Sequence, residues 1–175
     1  MTYKTILLDF DDTIVDFYDA EEKAFYNMAK HFNHNPTKDD FYHFRKVNQS
    51  HWEAFQENKL TKEEVLTQRF VNYFKDYQIE VDGKQADHIF RDELAKARPS
   101  FFDDTLETID YLRENHNIYI VTNGVTETQQ RRIAQTTFNE TLNGIYISEQ
   151  TGFQKPMPEF FDYIFKEIGE QQRES

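Results

Sequence analysis

Cysteine is absent from the 175 residues, and with it go a disulfide framework, a thiolate metal site and a thiol nucleophile. Positive charge is scarce: 20 Lys and Arg stand against 32 Asp and Glu, a formal net charge of −12. That balance argues against a nucleic-acid partner, because affinity for a phosphate backbone comes from cationic neutralisation. Long apolar runs are missing too. No stretch approaches the roughly eighteen consecutive apolar residues of a membrane span, and MTYKTILLD has no charged segment leading into an apolar one. No membrane partner and a cytoplasmic location are expected. Repeats and low-complexity tracts are not evident, and the length suits one domain with a core, or a core carrying a modest insertion.

What is present first is ILLDFDDTIVDF. Ile6, Leu7 and Leu8 read as a strand buried on both faces, which runs directly into Asp9, Asp11 and Asp12. Like charges this close repel unless a cation or hydrogen bonds offset them, so the cluster suggests a metal site or acid/base chemistry. From Asp16 to about Arg98 the texture becomes helical, rich in Phe, Tyr, Lys and Glu, with breaks at HNPTKDD, NKLTKEE and EVDGKQ. About four helices fit. Thr37 with Asp40 resembles a capping box and Thr61 with Glu64 is one. Phe25, Met28, Ala29 and Phe32 share one helical face, as do Val65, Leu66, Arg69, Phe70 and Phe74.

After Pro99 the elements alternate. Asp104 with Glu107 opens a helix through Leu112, NIYIVTNG is a second strand, Thr126 to about Thr136 is a polar helix and GIYIS is a third strand. Pro156 or Pro158 begins a last helix. Strands alternating with helices predict an α/β fold, a parallel sheet covered by helices on both faces. The helical stretch between the first strand and the rest reads as an insertion. The expected domains are a core of residues 1–15 and 99–175 and a helical cap of residues 16–98.

In parallel sheets ligands bind beyond the carboxyl ends of the strands. Asp9, Asp11 and Thr13 stand after the first strand, Thr122, Asn123 and Gly124 after the second, and Lys155 after the third. Each has an ordinary explanation alone: a turn former, a strand-end hydroxyl, an NG turn, a solvated cation. Asp9 and Asp11 alternate, which in extended chain points both to one side. The order and spacing of all three groups are hard to obtain by chance.

DFDDT, VTNG and GFQKPMPEFF resemble the first three motifs of the haloacid dehalogenase superfamily of phosphatases, and the helical stretch resembles its inserted cap. YKTILLDFDDTIVDF and SEQTGFQKPMPEFFDYIF look most like its pyrimidine nucleoside monophosphate 5'-nucleotidases. The resemblance implies a Rossmann-like three-layer core and a phosphomonoester hydrolase. In it Asp9 is the nucleophile that becomes an aspartyl phosphate, and Asp11 is the general acid and base. Asp9 and the Asp11 carbonyl would bind Mg²⁺. Thr122, the Asn123 or Gly124 amide, and Lys155 would hold the non-transferred phosphate oxygens. Thr13 fits a turn cap at least as well as a phosphate contact, and Asp16 and Glu149 read as solvated or capping residues. Tyr18, Phe25, Phe41, Phe44, Trp52 and Phe55 read as core of the insertion rather than a base-stacking surface.

The superfamily's fourth motif, Gly-Asp followed by a further Asp, is not found before the sequence ends at KEIGEQQRES. The expectation is therefore a fragment with an open sheet edge and a weakened Mg²⁺ site, an edge that leaves a homo-oligomer open as a partner. The expected small-molecule partner is a phosphorylated metabolite, a nucleoside monophosphate first. The alternatives are a phosphatase of sugar phosphates or other small phosphorylated metabolites, or an inactive fragment with an assembly or binding role.

Overall fold

The computed structural model describes residues 3–174. In chain order the elements are β1 (Thr5–Leu8), β2 (Val15–Asp16), α1 (Tyr18–His31), α2 (Lys38–Gln56), α3 (Lys62–Lys75), α4 (Gly83–Lys96), β3 (Ser100–Phe101), α5 (Thr105–Arg113), β4 (Asn117–Thr122), α6 (Thr126–Ile133), α7 (Phe138–Thr141), β5 (Gly144–Ile147), α8 (Ser148–Thr151) and α9 (Pro158–Glu174). The chain divides into two compact units, Met1–Phe17 with Arg98–Ser175, and Tyr18–Ala97.

The first unit is α/β. Its parallel sheet has the order β1-β4-β5, with Leu8 opposite Ile120 and Thr122 opposite Ile147, so the carboxyl ends of all three strands lie along one edge. Ile118 and Ile120 pack on one face with Phe10, Ile14, Ile109, Ile133 and Phe138. Tyr119 and Val121 pack on the other with Phe160, Ile164 and Ile168 of α9. Burial on both faces explains why β4 is almost continuously apolar. β1 departs from its reading as a doubly buried strand: Thr5 to Leu8 are half-buried, because β1 is an outer strand of the sheet.

Helix α5 starts where the sequence placed it, and two local features go beyond the sequence pattern. Asp104 stands at the N-cap of α5 with φ 60° and makes no side-chain cap bond, since a capping side chain reaches the first-turn amides from extended backbone. The antiparallel ribbon of β2 with β3 pairs Val15 with Phe101 and Asp16 with Ser100, and strands of two residues carry no periodic signal. Of the two prolines before the last helix, Pro158 is its first residue, where the missing N–H costs nothing.

The second unit consists of α1 to α4. Thr37 and Thr61 both form complete capping boxes, with Asp40 and Glu64. The core is aromatic: Phe25 stacks on Phe44 at 4.7 Å, and Phe41, Phe70, Tyr73, Phe74 and Phe90 are fully buried around them. Arg69, which shares a helical face with apolar residues, is buried among paired partners. It donates to Asp87 Oδ1 at 2.8 Å and Asn48 Oδ1 at 2.9 Å, and Asn48 donates in turn to Glu21 Oε1 at 2.9 Å. Arg91 and Arg45 complete the set on Asp87 and Glu21 at 2.7 and 2.8 Å. Among the described residues no helix is long and apolar enough to cross a membrane.

Asp87→Ala strands the Arg69 charge inside this unit, and a loss of about 3–5 kcal/mol in urea unfolding is expected; a loss under about 1 kcal/mol would show that Arg69 finds another acceptor. His34 is buried against the Tyr73 hydroxyl at 3.0 Å, and burial lowers its pKa from the ordinary 6.5. The unfolded chain therefore binds the extra proton, so stability falls as pH drops from about 6.5 through the folded pKa. His34→Phe is expected to flatten that stretch of the pH–stability profile, and an unchanged slope would assign it to another group.

Candidate active site

The loops that leave β1, β4 and β5 at their carboxyl ends interlock. Asp9 follows β1 directly, and its Oδ1 accepts from the Phe10 amide at 2.8 Å and lies 2.9 Å from Lys155 Nζ. Lys155 also donates to the Val121 carbonyl at 3.0 Å. The ammonium is thus held between the end of β4 and the carboxylate that follows β1, whereas its plain reading from sequence is a solvated cation. Both of these contacts fall on Oδ1, leaving Asp9 Oδ2 on a carboxylate that is 46% exposed.

After Asp9 the chain doubles back. The amides of Ile14 and Val15 both donate to the Phe10 carbonyl, at 3.0 and 3.1 Å, and the Asp12 amide donates to the Val15 carbonyl at 2.8 Å. Asp12 adopts φ 57°, a left-handed conformation that Asp tolerates better than most residues. Its Oδ1 accepts from the Phe17 amide at 3.2 Å. The strand thus ends at Leu8, and simple alternation does not set the direction of Asp11. Contacts set it: Arg132 Nη1 lies 2.7 Å from Asp11 Oδ1, and Gln129 Nε2 donates to Oδ2 at 2.9 Å. Thr13 is exposed in the turn.

At the end of β4, Thr122 Oγ1 accepts from Gln129 Nε2 at 3.0 Å and from the Gly124 amide at 3.2 Å. The Asn123 side chain is turned onto the Lys155 backbone, accepting from its amide at 2.8 Å and donating to its carbonyl at 2.9 Å. Asn123 therefore ties the β4 loop to the Lys155 loop through its side chain, a role its NG context does not announce. Glu149 caps α6, its Oε1 accepting from the Thr126 amide and, at 3.0 Å, from the Thr126 hydroxyl; Asp16 lies in β2.

Gln129 and Arg132 are buried and reach the site, yet they went unread in the sequence. Their helix, TETQQRRI, reads as polar throughout, and nothing in its pattern separates the buried pair from exposed neighbours. The assembled chemistry is a half-exposed carboxylate beside an ammonium, a second carboxylate against a guanidinium, and a hydroxyl joined to that second carboxylate through Gln129. Among the described residues no group of three or more His, Cys, Asp or Glu is placed to hold a metal.

Residues 3–175 match the family model described as haloacid dehalogenase-like hydrolase. The chain is 38% identical over 166 residues to YfnB of Bacillus subtilis, named as a HAD-hydrolase, covering 95% of this chain and 70% of that protein. A crystal structure of YfnB bound to magnesium superposes with a TM-score of 0.89 at 37% identity, over 95% of this chain and 74% of that one. Two pyrimidine 5'-nucleotidases are also similar: PynA of Streptococcus pneumoniae, 28% identical over 96% of this chain and 71% of its own, and YjjG of Escherichia coli, 25% identical over 99% and 75%.

Asn123→Ala leaves the Lys155 amide and carbonyl without these partners, and a destabilisation of about 1–3 kcal/mol is expected in urea unfolding. Asn123→Asp keeps the acceptor and loses the donor, so an intermediate loss is expected. Equal losses from both variants would mean that only the bond to the Lys155 carbonyl matters.

Proposed function

Because the chain belongs to the haloacid dehalogenase-like hydrolases, we propose that it hydrolyses phosphomonoesters through an aspartyl phosphate on Asp9, with Mg²⁺ as cofactor and a pyrimidine nucleoside monophosphate as substrate. The observation that carries this reading is the 2.9 Å contact of Lys155 with Asp9, which sets a cation beside a half-exposed carboxylate at the shared edge of the strands. The 5'-nucleotidase names of the two relatives supply the substrate class.

In this reading Asp9 attacks phosphorus, an Asp9–phosphorus bond forms, and the bond to the leaving oxygen breaks. Asp11 gives that oxygen its proton, then takes a proton from the water that displaces Asp9 and releases orthophosphate. Lys155 and the Thr122 hydroxyl hold the non-transferred oxygens, with a main-chain amide of Asn123 or Gly124. The Asp9 carboxylate, 46% exposed, and the Asp11 carbonyl would supply the oxygen donors for Mg²⁺, which takes one or two carboxylates and keeps water and phosphate for its other positions. When bound, Mg²⁺ supplies charge that offsets the repulsion between phosphate and carboxylate. The Tyr18–Ala97 unit takes the part of the family's helical cap.

The test is phosphate release from a panel of pyrimidine and purine nucleoside monophosphates and sugar phosphates, with halide release from a 2-haloacid alongside. Release from pyrimidine nucleotides is expected, abolished by a chelator and by Asp9→Asn, and lowered about 10²–10³-fold in kcat by Lys155→Met. A preference for sugar phosphates would overturn the substrate class. Release that survives Asp9→Asn, or none from the native chain, would overturn the mechanism.

A further inference from the structure

We propose that Arg132 and Gln129 are positioning residues for this site, a relay that aligns the Asp11 carboxylate and fixes the direction in which the Thr122 hydroxyl donates. The proposal rests on the phosphoryl-transfer reading above and deepens it.

The hydrogen-bond inventory leaves one arrangement. A guanidinium only donates and a carboxylate only accepts. Arg132 Nη1 stands 2.9 Å from Gln129 Oε1, so the amide oxygen of Gln129 must face Arg132. Its Nε2 then faces the site, with one hydrogen for Asp11 Oδ2 at 2.9 Å and the other for Thr122 Oγ1 at 3.0 Å. Thr122 Oγ1 also accepts from the Gly124 amide, which fills both lone pairs of the hydroxyl. Its single hydrogen has no acceptor among the described residues, and it is the donor left for a phosphate oxygen.

Arg132 anchors the relay from below. It is buried, with Cζ 5.1 Å from the centres of both the Phe10 and Phe17 rings, and Asp11 is its carboxylate partner. The 2.7 Å approach to Asp11 Oδ1 is an ion pair without hydrogen-bond alignment. Arg132 therefore supplies attraction, and the directional bond that sets the carboxylate plane comes from Gln129. Gly124 gives an independent sign of the same device: a Cβ there would lie 2.5 Å from Gln129 Cγ and 2.6 Å from its Nε2. Gln129 is bonded at both ends of its amide, so a side chain at position 124 would have to displace a residue held by these bonds.

A merely structural ion pair and a positioning relay differ in which reactions they affect. The assay compares a nucleoside monophosphate, whose alkoxide leaves only with a proton, with 2,4-dinitrophenyl phosphate, whose leaving group departs without one. With Arg132→Met, kcat/KM, which reads only the steps up to phosphorylation of Asp9, is expected to fall about 100-fold on the nucleotide and less than about 10-fold on the aryl ester, with part of the loss recovered in Arg132→Lys. Gln129→Glu keeps the shape but turns the donor into an acceptor, and gives the same split should Arg132→Met fail to fold. Equal losses on both esters, or no loss, would overturn the proposal while leaving the phosphatase reading intact.

A second readout needs no turnover. The Hα–Hβ scalar couplings of Asp11 are expected to report one χ1 rotamer in the native chain and averaging in the Arg132 or Gln129 variant. A native Asp11 that already averages would overturn the proposal. A fixed rotamer lost in the variants, from a chain that hydrolyses nothing, would sustain the relay and remove the phosphatase reading.

Discussion

Carboxylates crowded at the end of one strand repel one another, and the site is arranged around that repulsion. Two like charges about 4 Å apart cost about 4 kcal/mol at an effective dielectric near 20, more than a chain of ordinary stability spares at one loop. Each acid here has a partner of its own. Asp9 meets the Lys155 ammonium, Asp11 meets the Arg132 guanidinium, and Asp12 accepts from a backbone amide. The protein's own cations thus offset the cluster before any metal is considered.

Those partners come from far along the sequence, and the parallel sheet is what brings them in. With all three strands ending at one edge, Asp9, Thr122 and the loop after β5 are neighbours by register. The loops are then tied to each other. Asn123 bonds both backbone groups of Lys155, and Lys155 returns a bond to the Val121 carbonyl. Lysine has a long flexible stem, and these ties are what confine its ammonium to one place. The ion pair with Asp9 is therefore a consequence of β4 and β5 lying side by side.

The sequence was legible where a pattern repeats and illegible where a single contact decides. β4, buried on both faces, and the two capping boxes of α2 and α3 were readable because apolar runs and S/T-x-x-D/E spacing follow from local physics. Asp9, Asp11, Thr122 and Lys155 were readable as strand-end residues, and the structure joins them in two pairs, Asp9 with Lys155 directly and Asp11 with Thr122 through Gln129. What sequence pattern lacked was everything set by tertiary contact. The outer position of β1 leaves its apolar run only half-buried, Asp104 opens α5 from a left-handed conformation without a side-chain cap bond, and the turn at Phe10 undoes the alternation argument for Asp11. Gln129 and Arg132 are the clearest omission, since a polar helix gives no sign of which polar residues face inward.

The chain solves the burial of an arginine twice, and the difference between the solutions separates structure from chemistry. In the helical unit Arg69 sits with Asp87 and Asn48, and the carboxylates of Asp87 and Glu21 are only 5% and 3% exposed. Those acids are closed off, with protein donors on both oxygens. At the strand ends Arg132 is as deeply buried as Arg69, but its partner Asp11 is 30% exposed and neighbouring Asp9 is 46% exposed. A carboxylate pinned from beneath and open above keeps a defined direction and still reaches an outside molecule. A closed pair holds helices together and reaches nothing. The same residue types at nearly the same distances therefore make two different settings, and what separates them is the exposure of the acid rather than the closeness of its ion pair.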